Sequence, residues 1–146
     1  MRHGPRLGVD VGKARVGLAR CDREGLLATP VATLNRLTAL LDIQEAVTQA
    51  HVLEVVVGLP LALSGQETAS TQDAKDFAAH LVGMLDIPVR MVDERLSTVQ
   101  ASQSLRQAGR SAKRQKAVID QAAAVILLQH ALDAERYQGV PPGYLM

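Results

Sequence analysis

Apolar residues change their spacing several times along the 146-residue chain, and each change marks a new element. Leu7 and Val9 form a short buried run that stops at Asp10, after which Gly12 and Gly17 carry the chain into a second alternating stretch, Ala14 to Cys21. Asp22-Arg23-Glu24-Gly25 reads as a hairpin turn and Leu26 to Thr33 as a third strand, so the first three strands form an antiparallel meander. The spacing of Leu37, Leu40, Leu41, Ala46, Val47 and Ala50 predicts an amphipathic helix over Leu37 to Val52, capped by Asn35. The continuous β-branched run Val55-Val56-Val57 fits a strand covered on both faces, as in a parallel sheet. It ends at Gly58-Leu59-Pro60 and leads into the loop Leu61 to Gln66.

Ser70-x-x-Asp73 has the pattern of a capping box and opens a second helix, with Ala74, Phe77, Ala78, Leu81, Val82 and Leu85 on its inner side. Val89 to Val92 is a short strand that stops at Asp93-Glu94-Arg95. Ser97 or Thr98 caps a further helix through Ala108, Gly109 closes it, and the basic segment Arg110 to Lys116 leads into a long helix ending near Arg136. Helices interleaved with strands make this an α/β chain: one domain over residues 1–138, and a loosely ordered tail over 139–146 around Pro141-Pro142-Gly143.

Composition narrows the partners. The net charge is only +1, but it is unevenly spread. Arg2, Arg6, Lys13, Arg15 and Arg20 crowd the start against Asp10. Arg95, Arg106, Arg110, Lys113, Arg114 and Lys116 fall in a stretch that has no acid between Glu94 and Asp120. Two basic segments flanking acidic residues suit a polyanion, and equally suit a solvated helix face rich in Arg. Phe77, Tyr137 and Tyr144 are the only aromatic residues, so a bound nucleic acid would be held through phosphates and shape rather than by stacking. The lone Cys21 rules out a disulfide framework and a cysteine-rich zinc site. No signal peptide or membrane span is evident, and a cytoplasmic location is expected.

Three carboxylates stand out. Asp10 and Glu94 terminate strands, and Asp120 interrupts a helix that is apolar on every side from Ala117 to Leu128, with Ala117, Ala123 and Ala124 beside it and Lys113 and Lys116 on the same stripe. Each has a structural explanation: Asp10 as a turn cap, Asp120 as the partner of a lysine or of Arg95. Together, at the carboxyl edge of one sheet, they form what two hard divalent cations require, oxygen ligands at ~2.1 Å for Mg²⁺ and metals ~3.5–4 Å apart.

The landmarks Gly8-x-Asp10-x-Gly12-x-x-Arg15-Val16-Gly17, Val57-Gly58-Leu59-Pro60, Asp93-Glu94-Arg95-Leu96-Ser97-Thr98 and Val118-Ile119-Asp120-x-x-Ala123 occur in that order. In this the chain resembles the YqgF/RuvX family of RNase H-like nucleases, described as Holliday-junction resolvases or as nucleases of precursor 16S ribosomal RNA. The resemblance implies a three-layer α/β/α fold around a five-stranded mixed sheet, three antiparallel strands followed by two parallel ones. It implies Asp10, Glu94 and Asp120 as catalytic residues and ligands of two Mg²⁺ or Mn²⁺ ions. Lys13, Arg15, Arg95, Thr98, Arg110, Lys113 and Lys116 would then contact RNA or DNA. Two positions depart from the family pattern: Ala14, where a lysine is usual, and the apolar Leu61-Ala62-Leu63 after Gly-Leu-Pro. A homodimer is left open. The competing expectations are a non-catalytic nucleic-acid-binding module of ribosome assembly and an actin-like ATPase, whose architecture needs two such domains where this chain has room for one.

Overall fold

The hairpin chemistry at the start of the chain sets the sheet. The structure, a computed structural model, describes residues 1–95 and 112–146, with side chains of the last helix from 121 onward. Strands β1 (Arg6–Val11), β2 (Arg15–Cys21) and β3 (Ala28–Asn35) form the antiparallel meander. Its second turn is held by Gly25 N–H donating to Asp22 O (3.1 Å), while the Asp22 carboxylate accepts from the N–H groups of Leu26 and Leu27. Helix α1 (Ala39–Ala50) follows, then β4 (Glu54–Leu59), α2 (Ala69–Met84), β5 (Val89–Asp93), α3 (Ala112–Gln138) and β6 (Tyr144–Leu145). β4 and β5 run parallel to β1, giving the sheet order β3-β2-β1-β4-β5-β6.

The mixed α/β fold and the division into three antiparallel and two parallel strands match the sequence expectation. The strand count does not: the sheet has six, because Tyr144 and Leu145 pair antiparallel with Met91 and Arg90. Two exposed residues after a Pro-Pro-Gly segment carry no periodicity from which a strand could be read. The capping expectations also shift. α2 is capped by Thr68, whose side chain accepts from Thr71 N–H while Thr71 Oγ1 accepts from Thr68 N–H, so the box lies two residues ahead of Ser70 and Asp73. Asn35 accepts from Leu37 N–H in the turn before α1 rather than capping the helix, which starts after Thr38. The helix expected from Ser97 or Thr98 to Ala108 lies outside the described residues.

The sheet separates two cores. Leu7, Val9, Val55, Val57, Val89 and Met91 face α1 and α2, packing with Ile43, Phe77 and Leu81. Ala19, Cys21, Val56 and Val92 face α3, packing with Ala124, Leu127, Leu128 and Leu132. α3 approaches closely because Gly8 presents no side chain: a Cβ there would stand 2.8 Å from Leu128 Cβ and 2.9 Å from Ala124 O. The small face expected around Ala123 and Ala124 thus lies where helix and sheet meet. Gly8→Ala must push α3 outward, with an expected loss of about 1–3 kcal/mol measured by chemical denaturation.

At the amino end of the parallel strands, the same sheet face holds a buried ion network. Glu135 of α3 accepts from Arg6 (2.6 Å) and Arg2 (2.5 Å), and Glu54 of β4 pairs with Arg2 (3.2 Å) and Arg90 of β5 (3.1 Å). Arg6, Glu54 and Glu135 are almost completely buried, so each charge depends on the others. The network pins the end of α3 against β1, and with it the register of the whole helix on the sheet. Among the described residues no helix is long and apolar enough to cross a membrane.

Candidate active site

Side chains alternate across a strand, and the partners of each residue show which face it takes. Arg6 and Gly8 of β1, Glu54 and Val56 of β4, and Arg90 and Val92 of β5 all face α3 or the ion network at its end. Continuing that alternation puts Asp10, Gly58 and Glu94 on the same face at the opposite, carboxyl edge. The register agrees. Gly8 lies beside Val56 and Val9 beside Val57, so the next step brings Asp10 level with Gly58, which in turn pairs with Val92. Just past β5, Glu94 N–H donates to Leu59 O (3.3 Å) and keeps the strand in line.

From there the Glu94 side chain crosses β4 above Gly58 and shares a hydrogen bond with the Asp10 carboxyl group. Burial, then the charge and hydrogen bond of Asp10, then the charge of Asp93, push the Glu94 carboxyl up from 4.5 to about 9. One proton held between two acids is what such a pair does when it lacks a cation. The donor set, carboxylate oxygens converging at a sheet edge, fits a hard divalent ion. Among the described residues no third His, Cys, Asp or Glu joins the pair. The side chain of Asp120 lies outside the described residues, but its backbone is in α3, one turn before Ala124. Ala124 covers Gly8. Four residues of helix rise about 6 Å and Gly8 to Asp10 spans about 6.6 Å, so the α3 backbone before Ala124 runs toward the Asp10 end of β1.

The basic residues divide into three groups. Lys13 is exposed and Arg15 half-buried on the turn that follows β1. That turn is tight: Gly12 N–H donates to Arg15 O (2.9 Å), and a Cβ at Gly12 would fall 2.6 Å from the same oxygen. Arg36 fastens it to α2, since its backbone N–H donates to Ala14 O (3.1 Å), its guanidinium to Gly12 O (2.8 Å) and, bidentately, to Asp73 (2.7 and 2.9 Å), all over the ring of Phe77. The Arg36 hydrogen bonds hold the Asp73 carboxyl below the usual carboxylate range, and nearby Lys13 adds to this. Arg95, expected to contact phosphates, pairs with Asp93 (2.7 Å) at the surface and reaches Leu63 O (3.4 Å) of the loop after β4. Thr98 and Arg110, and the side chains of Lys113 and Lys116, lie outside the described residues.

Residue patterning pointed to the acids but not to Gly58 or to the Arg36–Asp73 clasp. A glycine closing a run of three valines was the available signal for the first; Arg36 sits between a strand and a helix with nothing to mark it.

The model of the RuvX family, described as Holliday junction resolvase, matches residues 4–134. The chain belongs to the RuvX family. It is 58% identical over 150 residues to a Clavibacter michiganensis subsp. michiganensis protein named "Putative pre-16S rRNA nuclease", covering 100% of this chain and 93% of that one. Relatives of the same name in Leifsonia xyli subsp. xyli (55% identical, 99% of this chain and 95% of that one covered) and Streptomyces coelicolor (49% identical, 98% and 88% covered) are similar over most of their lengths. Among solved structures, T. thermophilus RuvC in complex with Holliday junction substrate superposes with a TM-score of 0.61 at 18% identity, covering 97% of this chain and 100% of that one. That likeness shows the RNase H-like fold. As a member of a resolvase-like nuclease family, this RuvX chain is a hydrolase of phosphodiester bonds, and its partner is nucleic acid.

Proposed function

We propose that this RuvX protein cleaves phosphodiester bonds with two divalent ions, Mg²⁺ or Mn²⁺, held by Asp10, Glu94 and Asp120. The observation that carries this is the Asp10–Glu94 pair: two carboxyl groups brought together at a sheet edge, with Glu94 held up at about 9. Such ions, when bound, lower the pKa of water toward neutrality and offset charge on the scissile phosphate. Asp10 is fixed by β1, whose ladder with β2 continues through Val11. Glu94 is fixed by its backbone bond to Leu59 and spans to Asp10. Asp120 would close the site from α3.

Lys13 and Arg15, carried on a turn that Arg36 keeps from swinging, present positive charge beside Asp10 and bind flanking phosphates. Lys113, Lys116, Arg110 and Thr98 are further residues proposed to contact the nucleic acid. The Arg95–Asp93 pair orders the loop after β4, leaving Leu63 exposed at its tip. Binding of this kind reads backbone, not sequence, and weakens steeply with salt.

The names of the relatives point to the 5′ end of precursor 16S ribosomal RNA, and the family description to branched DNA; both present phosphates to the same chemistry. A cytoplasmic location follows from either. The test is a cleavage panel of precursor 16S rRNA, a four-way DNA junction and single-stranded DNA with Mn²⁺, Mg²⁺ or a chelator. Metal-dependent products from at least one substrate, lost on chelation, are expected. Binding without cleavage on every substrate would overturn catalysis in favour of a binding module.

A further inference from the structure

We infer that Gly58 is a positioning residue for the metal-binding acids, because the space left by its missing side chain is the space the Glu94 carboxyl group occupies. The inference rests on the proposed function for its purpose, but its geometry stands alone. A Cβ built on Gly58 would fall within the van der Waals envelope of Glu94 Oε2, 3.0 Å from its Cδ, and 3.3 Å from Leu127 Cδ2. β4 lies between β1 and β5 in the sheet, so a carboxylate rooted at the end of β5 must pass over β4 to meet one at the end of β1. Gly58 is the β4 residue beneath that crossing. Leu127 of α3 borders the same space, 3.3 Å from that Cβ, so an added methyl is confined between two side chains.

Every residue other than glycine brings a Cβ, and each therefore forces one of two outcomes. Either the Glu94 carboxyl swings away from Asp10 and the pair is broken, or the Leu127 side chain gives way and the core around it loosens. The part of the effect that runs through Glu94 is separable, because removing the Glu94 carboxyl leaves only the contact with Leu127.

The test is a double-mutant cycle between Gly58→Ala and Glu94→Ala, read by Mn²⁺ affinity and by melting temperature. Gly58→Ala alone is expected to weaken Mn²⁺ binding by about tenfold or more, and to lower the metal-free melting temperature by about 3 °C or more. In the Glu94→Ala background, where the clashing carboxyl is gone, the same substitution is expected to cost less than half of that shift. Wild-type Mn²⁺ affinity in Gly58→Ala overturns the inference, as does an equal melting shift in both backgrounds. If Gly58→Ala does not fold, folding of the double variant supports the inference and its failure to fold overturns it. Should Glu94→Ala itself bind Mn²⁺ as the wild type does, the metal reading of the site fails, while the stability cycle still decides whether Gly58 makes room for Glu94.

Discussion

Asp10→Asn is expected to reduce metal-dependent cleavage by about 10³-fold or more while leaving the melting temperature of the metal-free protein unchanged or raised. The substitution keeps the shape of the side chain and its place at the end of β1, and so the strand register with Gly17 and with β4 is undisturbed. What it removes is a negative charge. Metal ligation contributes several kcal/mol to stabilising charge in the transition state, and each 1.4 kcal/mol is about tenfold in rate. In the absence of metal, the amide oxygen can still accept the proton that Glu94 holds, while the charge that opposes ionisation of Glu94 is gone. The loss of metal ligation is therefore not matched by a loss of fold stability. Single-turnover cleavage alongside thermal melting reads both, and a variant that loses stability and activity together would show that Asp10 serves the fold.

The second large effect is on stability against pH. Glu94 has an ordinary value of 4.5 and is held near 9 in the folded protein by burial and by Asp10. Below 4.5 both the folded and the unfolded chain keep the proton, and the contribution of Glu94 is complete. Between 4.5 and 9 the unfolded chain releases the proton while the folded chain retains it, so stability falls as pH rises, by up to ~1.4 kcal/mol per pH unit. The slope is set by the single proton, and water reaching this half-buried site shortens the pH range over which it applies and so the total loss. The metal-free wild type is expected to melt progressively lower from pH 5 to pH 9, relative to Glu94→Gln, which has no proton to lose. Saturating Mn²⁺ should remove most of the difference by binding only the folded state with Glu94 ionised. Parallel wild-type and Glu94→Gln curves in chelator would contradict this.

The acids were visible in the sequence because their surroundings made them conspicuous. A carboxylate closing an apolar strand, as at Asp10 and Glu94, breaks a local pattern, and broken patterns are what periodicity detects. The place of β4 in a parallel part of the sheet was accessible for the same reason, its valine run being a mark of burial on both faces. What could not be read were relations between remote positions. Nothing local says that Glu135 will meet Arg6, that Arg36 will close on Asp73, or that Arg95 will reach Leu63 O. The ends of the elements were also blurred. The capping box used Thr68 and Thr71 because a hydroxyl pair satisfies both backbone donors, whereas Asp73 was drawn away by a guanidinium from β3's end. Gly58 belongs to this class: its role is defined by a side chain 36 positions later, and only the register of β4 with β5 brings the two together.

The most direct measurement is a calorimetric Mn²⁺ titration of the wild type, Asp10→Asn and Glu94→Gln at neutral pH, with proton release followed in buffers of different ionisation enthalpy. Saturable binding to the wild type that displaces the proton held between Asp10 and Glu94, and that each substitution weakens by more than tenfold, is the expected result. Equal affinity in all three proteins would mean that these carboxyl groups meet for some reason other than a metal ion.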